Sequence, residues 1–205
     1  MQPALDIEPR QSIVNKPGRP RVSTAFWKAL YTSGHDAGFV RKQTDGWLLT
    51  GTAVYLNESK PVAVRYGLDL AADWSTRRGF IDGMIGTEAV EHRIERDERG
   101  WRLDGEPQHG LEDARDLDFG FTPATNHPQL KRMALQIGQS ARITVAWFDL
   151  GCTTLSPLPQ IYHRVSEDAY AYDSPQGPYQ ATLLVADNGF VRDYPELWQM
   201  ELHGE

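Results

Sequence analysis

The stretch PVAVRYGLDL, residues 61–70, alternates apolar side chains with small or polar ones. An extended strand sends successive side chains to opposite faces, so Val62, Val64, Tyr66, Leu68 and Leu70 share one face, and Ala63, Arg65, Gly67 and Asp69 the other. A helix would scatter the same residues around its circumference. From Ala37 onward the pattern recurs, broken by Gly, Asp, Asn and Pro clusters at intervals of about ten residues, the signature of a multi-stranded antiparallel sheet. The chain is therefore expected to be mainly β.

Further strands are predicted near 39–44, 47–56, 73–82, 88–97, 101–104, 142–149, 159–166, 169–173, 179–186 and 190–193. Helix is scarce. One helix is predicted where Pro128 suits the first turn, with Asn126 or His127 as its cap, Leu130, Met133 and Ile137 on one face and Gly138 as its stop. A second, short one is predicted from Pro195. A weak repeat links FVRKQTDGWLLTG (39–51), HRIERDERGWRLDG (92–105) and LLVADNGFVRDY (183–194): strand, glycine turn, aromatic, strand. Asp-Gly and Asn-Gly accept positive φ, so a recurrent hairpin explains it. Trp47 and Trp101 after those turns could stack on sugars, but core packing is the simpler account. So many strands must hide their edges, either by closing into a barrel or by coiling one long sheet on itself.

At 205 residues the chain suits one domain, 23–205, preceded by an extension, 1–22, that mixes Pro, Gly and basic residues without periodicity. The formal net charge of -7 and pI near 5.4 argue against nucleic acid or an anionic membrane surface as a partner. No apolar run is long enough for a secretory signal or a bilayer span, and the lone Cys152 cannot form an internal disulfide, so a cytoplasmic location is expected. The composition says nothing of oligomeric state.

Enzyme motifs are mostly absent: no nucleophile elbow, no Walker loop, no dinucleotide fingerprint, so no cofactor is expected. The six histidines never fall at the spacing of neighbouring metal ligands, and no metal is expected. His92 and His163 alternate with apolar residues and are predicted to point inward as hydrogen-bonded core residues. Asp116 and Asp118 project from one face if extended, close enough for acid–base work or a shared cation, although capping a turn is the plainer role. Arg65, Arg93 and Arg164 recur at comparable strand positions. They could line a hollow and grip an anion or sugar hydroxyls, or simply face solvent, which is the normal fate of the polar face of such a strand.

The residues DLDFGFTPATN (116–126) with the basic LKRM after them, ERDERGWRLDG before, VRYGLDLAADWSTRR upstream and VRDYPELW near the end resemble the bacterial "putative glycolipid-binding" family, formerly a domain of unknown function. The resemblance runs in order from about Trp27 to Trp198. It implies one antiparallel sheet coiled into a spiral β-roll and a binding rather than catalytic role, and its motif falls on Asp118, Gly120, Phe121, Thr122, Pro123, Ala124, Thr125, Asn126 and Arg132. On it we base the expectation of a ligand cavity inside the coiled sheet for a glycolipid or other amphiphile. Tyr66, Trp74, Phe119 and Phe121 would form apolar walls, with Arg65, Asp118, Thr122, Asn126 and Arg132 around the head group. Two alternatives stand beside it. One is a structural or interaction protein, with Phe119 and Phe121 in the core and Arg132 paired to Asp116 or Asp118; the other is a hydrolase using Asp116 and Asp118.

Overall fold

A computed structural model describes residues 21–177 and 179–204. Most of the expected N-terminal extension lies outside the described residues. Fifteen strands form one sheet: β1 (Val22–Ala29), β2 (Gly34–Gln43), β3 (Gly46–Asn57), β4 (Lys60–Ala71), β5 (Thr76–Ile85), β6 (Glu88–Asp97), β7 (Gly100–Leu103), β8 (Glu106–Gln108), β9 (Leu117–Phe119), β10 (Ser140–Phe148), β11 (Ser156–Arg164), β12 (Ala169–Ser174), β13 (Tyr179–Val185), β14 (Val191–Tyr194) and β15 (Trp198–Gly204). One helix, α1 (Asn126–Met133), lies between β9 and β10.

The sheet order is β8-β7-β6-β5-β4-β3-β2-β1-β15-β14-β13-β12-β11-β10-β9. The chain starts at the middle of the sheet, meanders out to β8, crosses to the other edge, and meanders back until β15 pairs with β1. The sheet is coiled but not closed, which settles the choice between barrel and roll. It is also not wholly antiparallel: β9 runs parallel to β10. A parallel neighbour needs a long crossover, and residues 120–139 with α1 supply it.

The inner face carries the predicted alternation. Val62, Val64, Tyr66, Leu68 and Leu70 are all buried, beside Trp27, Leu49, Ile81 and Ile94. Burial of each such side chain contributes roughly 1.5–3 kcal/mol. The crossing segment runs over this face and becomes its core: Leu111, Ala114, Leu117, Phe119, Phe121 and Ala124 are buried in the same cluster. Gly79 permits the approach, since a Cβ there would lie 2.4 Å from Leu117 Cδ2. Trp101 is core, its Nε1–H donating to Ala114 O at 3.0 Å, while Trp47 stacks on Trp74 with centroids 4.1 Å apart.

Four expectations are corrected. Strands β1 and β15 were not foreseen; Glu196 adopts φ 65° within the turn 195–197 that leads into β15, where a second helix was predicted. Helix α1 starts at Asn126 behind Thr125 and stops at Met133 because Ala134 turns left-handed at φ 46°, so exposed Ile137 lies beyond it. Trp74, at φ 70°, sits in the β4–β5 turn rather than on a strand. His163 faces outward, where Nδ1 lies 2.8 Å from Ser140 Oγ, because Gln160 and Tyr162 occupy the inner face of β11. His92 packs against Phe148 and bonds Asp104 through Nδ1 at 2.7 Å.

Asn188 fastens the seam where the chain's first and last described strands meet. Its Nδ2 donates to Thr24 O at 2.9 Å and Gly204 O at 3.3 Å, and its Oδ1 accepts Phe190 N–H at 3.2 Å. Asn188→Ala takes the side-chain acceptor from the buried Phe190 N–H and removes both seam contacts, and a stability loss of about 1–3 kcal/mol is expected in chemical denaturation.

Candidate functional site

The junction between β9 and α1 is built around three carboxylates on the inner side of the sheet. Asp116 is buried and held by Arg132, whose Nε lies 2.8 and 3.1 Å from the two carboxylate oxygens and whose Nη2 lies 2.5 Å from Oδ2. Asp118 accepts Thr125 Oγ1–H at 2.6 Å and Gln160 Nε2–H at 2.8 Å. Thr125 Oγ1 also accepts Phe119 N–H at 3.2 Å, which is why this N-cap residue makes no side-chain cap bond to α1. Asn126 Nδ2 donates to Tyr162 Oη at 3.0 Å, and that hydroxyl lies 2.8 Å from Gln129 Oε1.

The third carboxylate, Asp36 on β2, was not foreseen. It is wholly buried, accepts Tyr66 Oη–H at 2.8 and 3.0 Å, and accepts a short bond from Thr122 Oγ1. Thr122 Oγ1 in turn accepts Ala124 N–H at 3.0 Å, closing the turn into the helix. Burial pushes the Asp36 carboxyl up to about 7 against the pull of its hydroxyl donors, and burial likewise pushes Asp118 up to about 6. Burial pushes neighbouring His127 down to about 3; its Nε2 donates to Asn188 O at 3.2 Å.

Asp118, Thr122 and Asn126 also line a cleft of ≈ 530 Å³ on the inner side of β10–β15. Its other walls include Trp147, Asp149, Leu158, Tyr172, Ser174, Tyr179, Tyr194 and Trp198. The rings of Tyr172, Tyr179 and Tyr194 stand 5.5–6.1 Å apart at interplanar angles of 52–76°, so they form the sides of a box rather than a stack. Ser174 Oγ is buried at this wall with no hydrogen-bond partner among the described residues.

The expected site residues therefore divide. Asp118, Thr122 and Asn126 meet at the cleft. Tyr66 and Phe121 are core, 5.6 Å apart edge to face, and Tyr66 reaches the site only through Thr122. Trp74 packs on Trp47 and His127, and Arg132 is spent on Asp116. Arg65 points to the outer face with a side chain 72% exposed, paired to Asp82 at 2.8 Å. It lines a separate trough of ≈ 690 Å³ on the outside of β2–β6 with Phe39, Phe80 and Arg93. The tyrosine box was missed by sequence reasoning, although YAYDSPQGPY (170–179) carries two of its tyrosines, Tyr172 and Tyr179, around a turn and was a usable signal for part of it; Tyr194 comes from a later strand.

Among the described residues no three His, Cys, Asp or Glu side chains are grouped to hold a metal ion, and no helix is long and apolar enough to cross a membrane. The family model described as "Putative glycolipid-binding" matches residues 24–200. No curated protein matches the chain. Among solved structures, a DUF1089 family protein from Pseudomonas aeruginosa is similar, with 27% identity and a TM-score of 0.70 over 80% of this chain and 91% of that one.

Proposed function

Because this chain belongs to the family described as "putative glycolipid-binding", we propose that it binds an amphiphile, with the ligand seated in the inner cleft beside β9 and α1. One observation carries the reading: the motif residues Asp118, Thr122 and Asn126 share that cleft with Tyr172, Tyr179, Tyr194 and two tryptophans. Binding pockets combine a large apolar wall with a few convergent polar groups, and sugars in particular present apolar ring faces to aromatics and hydroxyls to carboxylates and amides. The polar groups already hold fixed positions through Thr125, Gln160 and Tyr162, so little ordering is left for binding to accomplish. A cytoplasmic location belongs to the same proposal.

A purely structural role is the second reading, favoured by one fact: Asp116, Arg132, Phe119 and Phe121 serve packing and pairing within the fold. Catalysis by Asp116 and Asp118 has less support, since Asp116 is clasped by a guanidinium and Asp118 by two neutral donors.

Native mass spectrometry of the protein purified gently and then exposed to a total lipid extract distinguishes these readings. A retained amphiphile is expected, and Leu158→Trp, which fills the cleft from a partly exposed position, is expected to abolish retention while leaving thermal unfolding within about 0.5 kcal/mol of the parent. An apo mass under all conditions, or retention untouched by Leu158→Trp, would overturn the proposal.

A further inference from the structure

The charge of the cleft narrows the head group it accepts. Two carboxylates line it, Asp118 and Asp149, and among the described residues its wall contains no Lys, Arg or His. The hydrogen bonds among the described residues give neither carboxylate a cationic partner: Asp118 is held by Thr125 and Gln160, and Asp149 accepts Leu150 N–H at 2.7 Å. Asp116, two residues away, shows what this fold does with a buried carboxylate that it intends to neutralise, for it receives a whole guanidinium. Removing a carboxylate from water without a counter-charge is unfavourable, and the vacancy can be filled by a charge on a ligand.

Two further features face the same space. The Ser174 hydroxyl, buried and without a hydrogen-bond partner among the described residues, offers an acceptor lone pair at the wall. The box of Tyr172, Tyr179 and Tyr194 offers ring faces, whose negative quadrupoles attract a cation within about 6 Å. Carboxylates, a free hydroxyl and aromatic faces together match an ammonium group and repel a phosphate or sulfate. Burial raises both the Asp149 and the Asp118 carboxyl, as expected of acids that lack a counter-ion until one arrives.

We infer that the cleft selects amphiphiles whose head group carries a protonated amine, of which an amino sugar is the class that fits, and rejects anionic heads. The inference rests on the proposal that the cleft is the amphiphile site. Binding of octyl glucoside, octyl glucosaminide with its amine protonated, and octyl phosphate to the full chain, followed by tryptophan fluorescence, tests both. The glucosaminide is expected to bind about tenfold or more tightly than the glucoside, and the phosphate most weakly. Asp149→Asn is expected to bring the ratio of glucosaminide to glucoside affinity close to one, and Asp118→Asn, on the adjoining strand, to do the same. Equal binding of all three, or a preference for the phosphate, overturns the charge assignment and leaves the cleft reading standing. Binding of none overturns both.

Discussion

Arg132→Met is expected to destabilise the protein by about 3–5 kcal/mol. The partner it abandons, Asp116, is buried in the crossing segment where Thr76 and Arg115 tie that segment to β5. With the guanidinium present, the pair is bidentate and its desolvation is repaid by three short contacts. Without it the carboxylate stays buried and unpaired. Replacing both partners by apolar residues, Arg132→Met with Asp116→Leu, removes the stranded charge and is expected to recover most of the loss. Guanidinium denaturation of the single and double variants measures the difference. A loss below about 1 kcal/mol for Arg132→Met would mean that Asp116 finds water or another donor.

Asp36→Asn and His127→Gln are expected to tilt the dependence of stability on pH in opposite directions. Asp36 has its ordinary value of 3.8 when unfolded and about 7 when folded. Between those values the native protein keeps a proton that the unfolded chain has lost, so stability is greatest below 3.8 and declines as pH rises through 7. Asp118, raised to about 6, adds a decline over a narrower window. His127 works the other way. Its value drops from 6.5 to about 3 on folding, so the unfolded chain binds the extra proton in that range, and stability is present above 6.5 and lost as pH falls toward 3. In the parent protein these slopes oppose each other. Asp36→Asn removes one decline, so the variant gains relative to the parent as pH rises from about 4 to about 7, by on the order of a few kcal/mol. His127→Gln gains relative to the parent toward acid pH instead. Thermal unfolding at a series of pH values decides the matter; parallel curves for parent and variants would show that neither group titrates between these limits.

The sheet was legible wherever inner positions were apolar. β4 could be read residue by residue because Val, Tyr and Leu alternate with small and charged residues along it. The reading failed where the inner face is polar or small. On β11 the buried positions are Gln160 and Tyr162, so the apolar alternation of Ile161 and Val165 pointed to the wrong face and carried His163 with it. On β1 the buried positions are Ala25, Trp27 and Ala29, a lone tryptophan between two alanines that give little apolar contrast, and β9 is three residues long with its ladder made in parallel to a strand later in the chain. The site divides in the same way. Asp118, Thr122 and Asn126 stood out because their motif is local, whereas Asp36 joins them across 86 residues through Thr122, and no local pattern marks such a partner. Asp36 alternates with Gly38 and Val40 on β2, however, and an acid at an inward position was the available warning. Arg65 was placed in the site because its strand belongs there; its own position in the alternation put it outside.

A crystal structure of the protein with an alkyl glycoside measures directly where an amphiphile sits. The predicted result is a sugar ring against Tyr172, Tyr179 and Tyr194 with hydroxyls in hydrogen-bonding reach of Asp118, Thr122 or Asn126. Density confined to the outer trough of Phe39, Phe80 and Arg65, with the inner cleft holding only water, would contradict it.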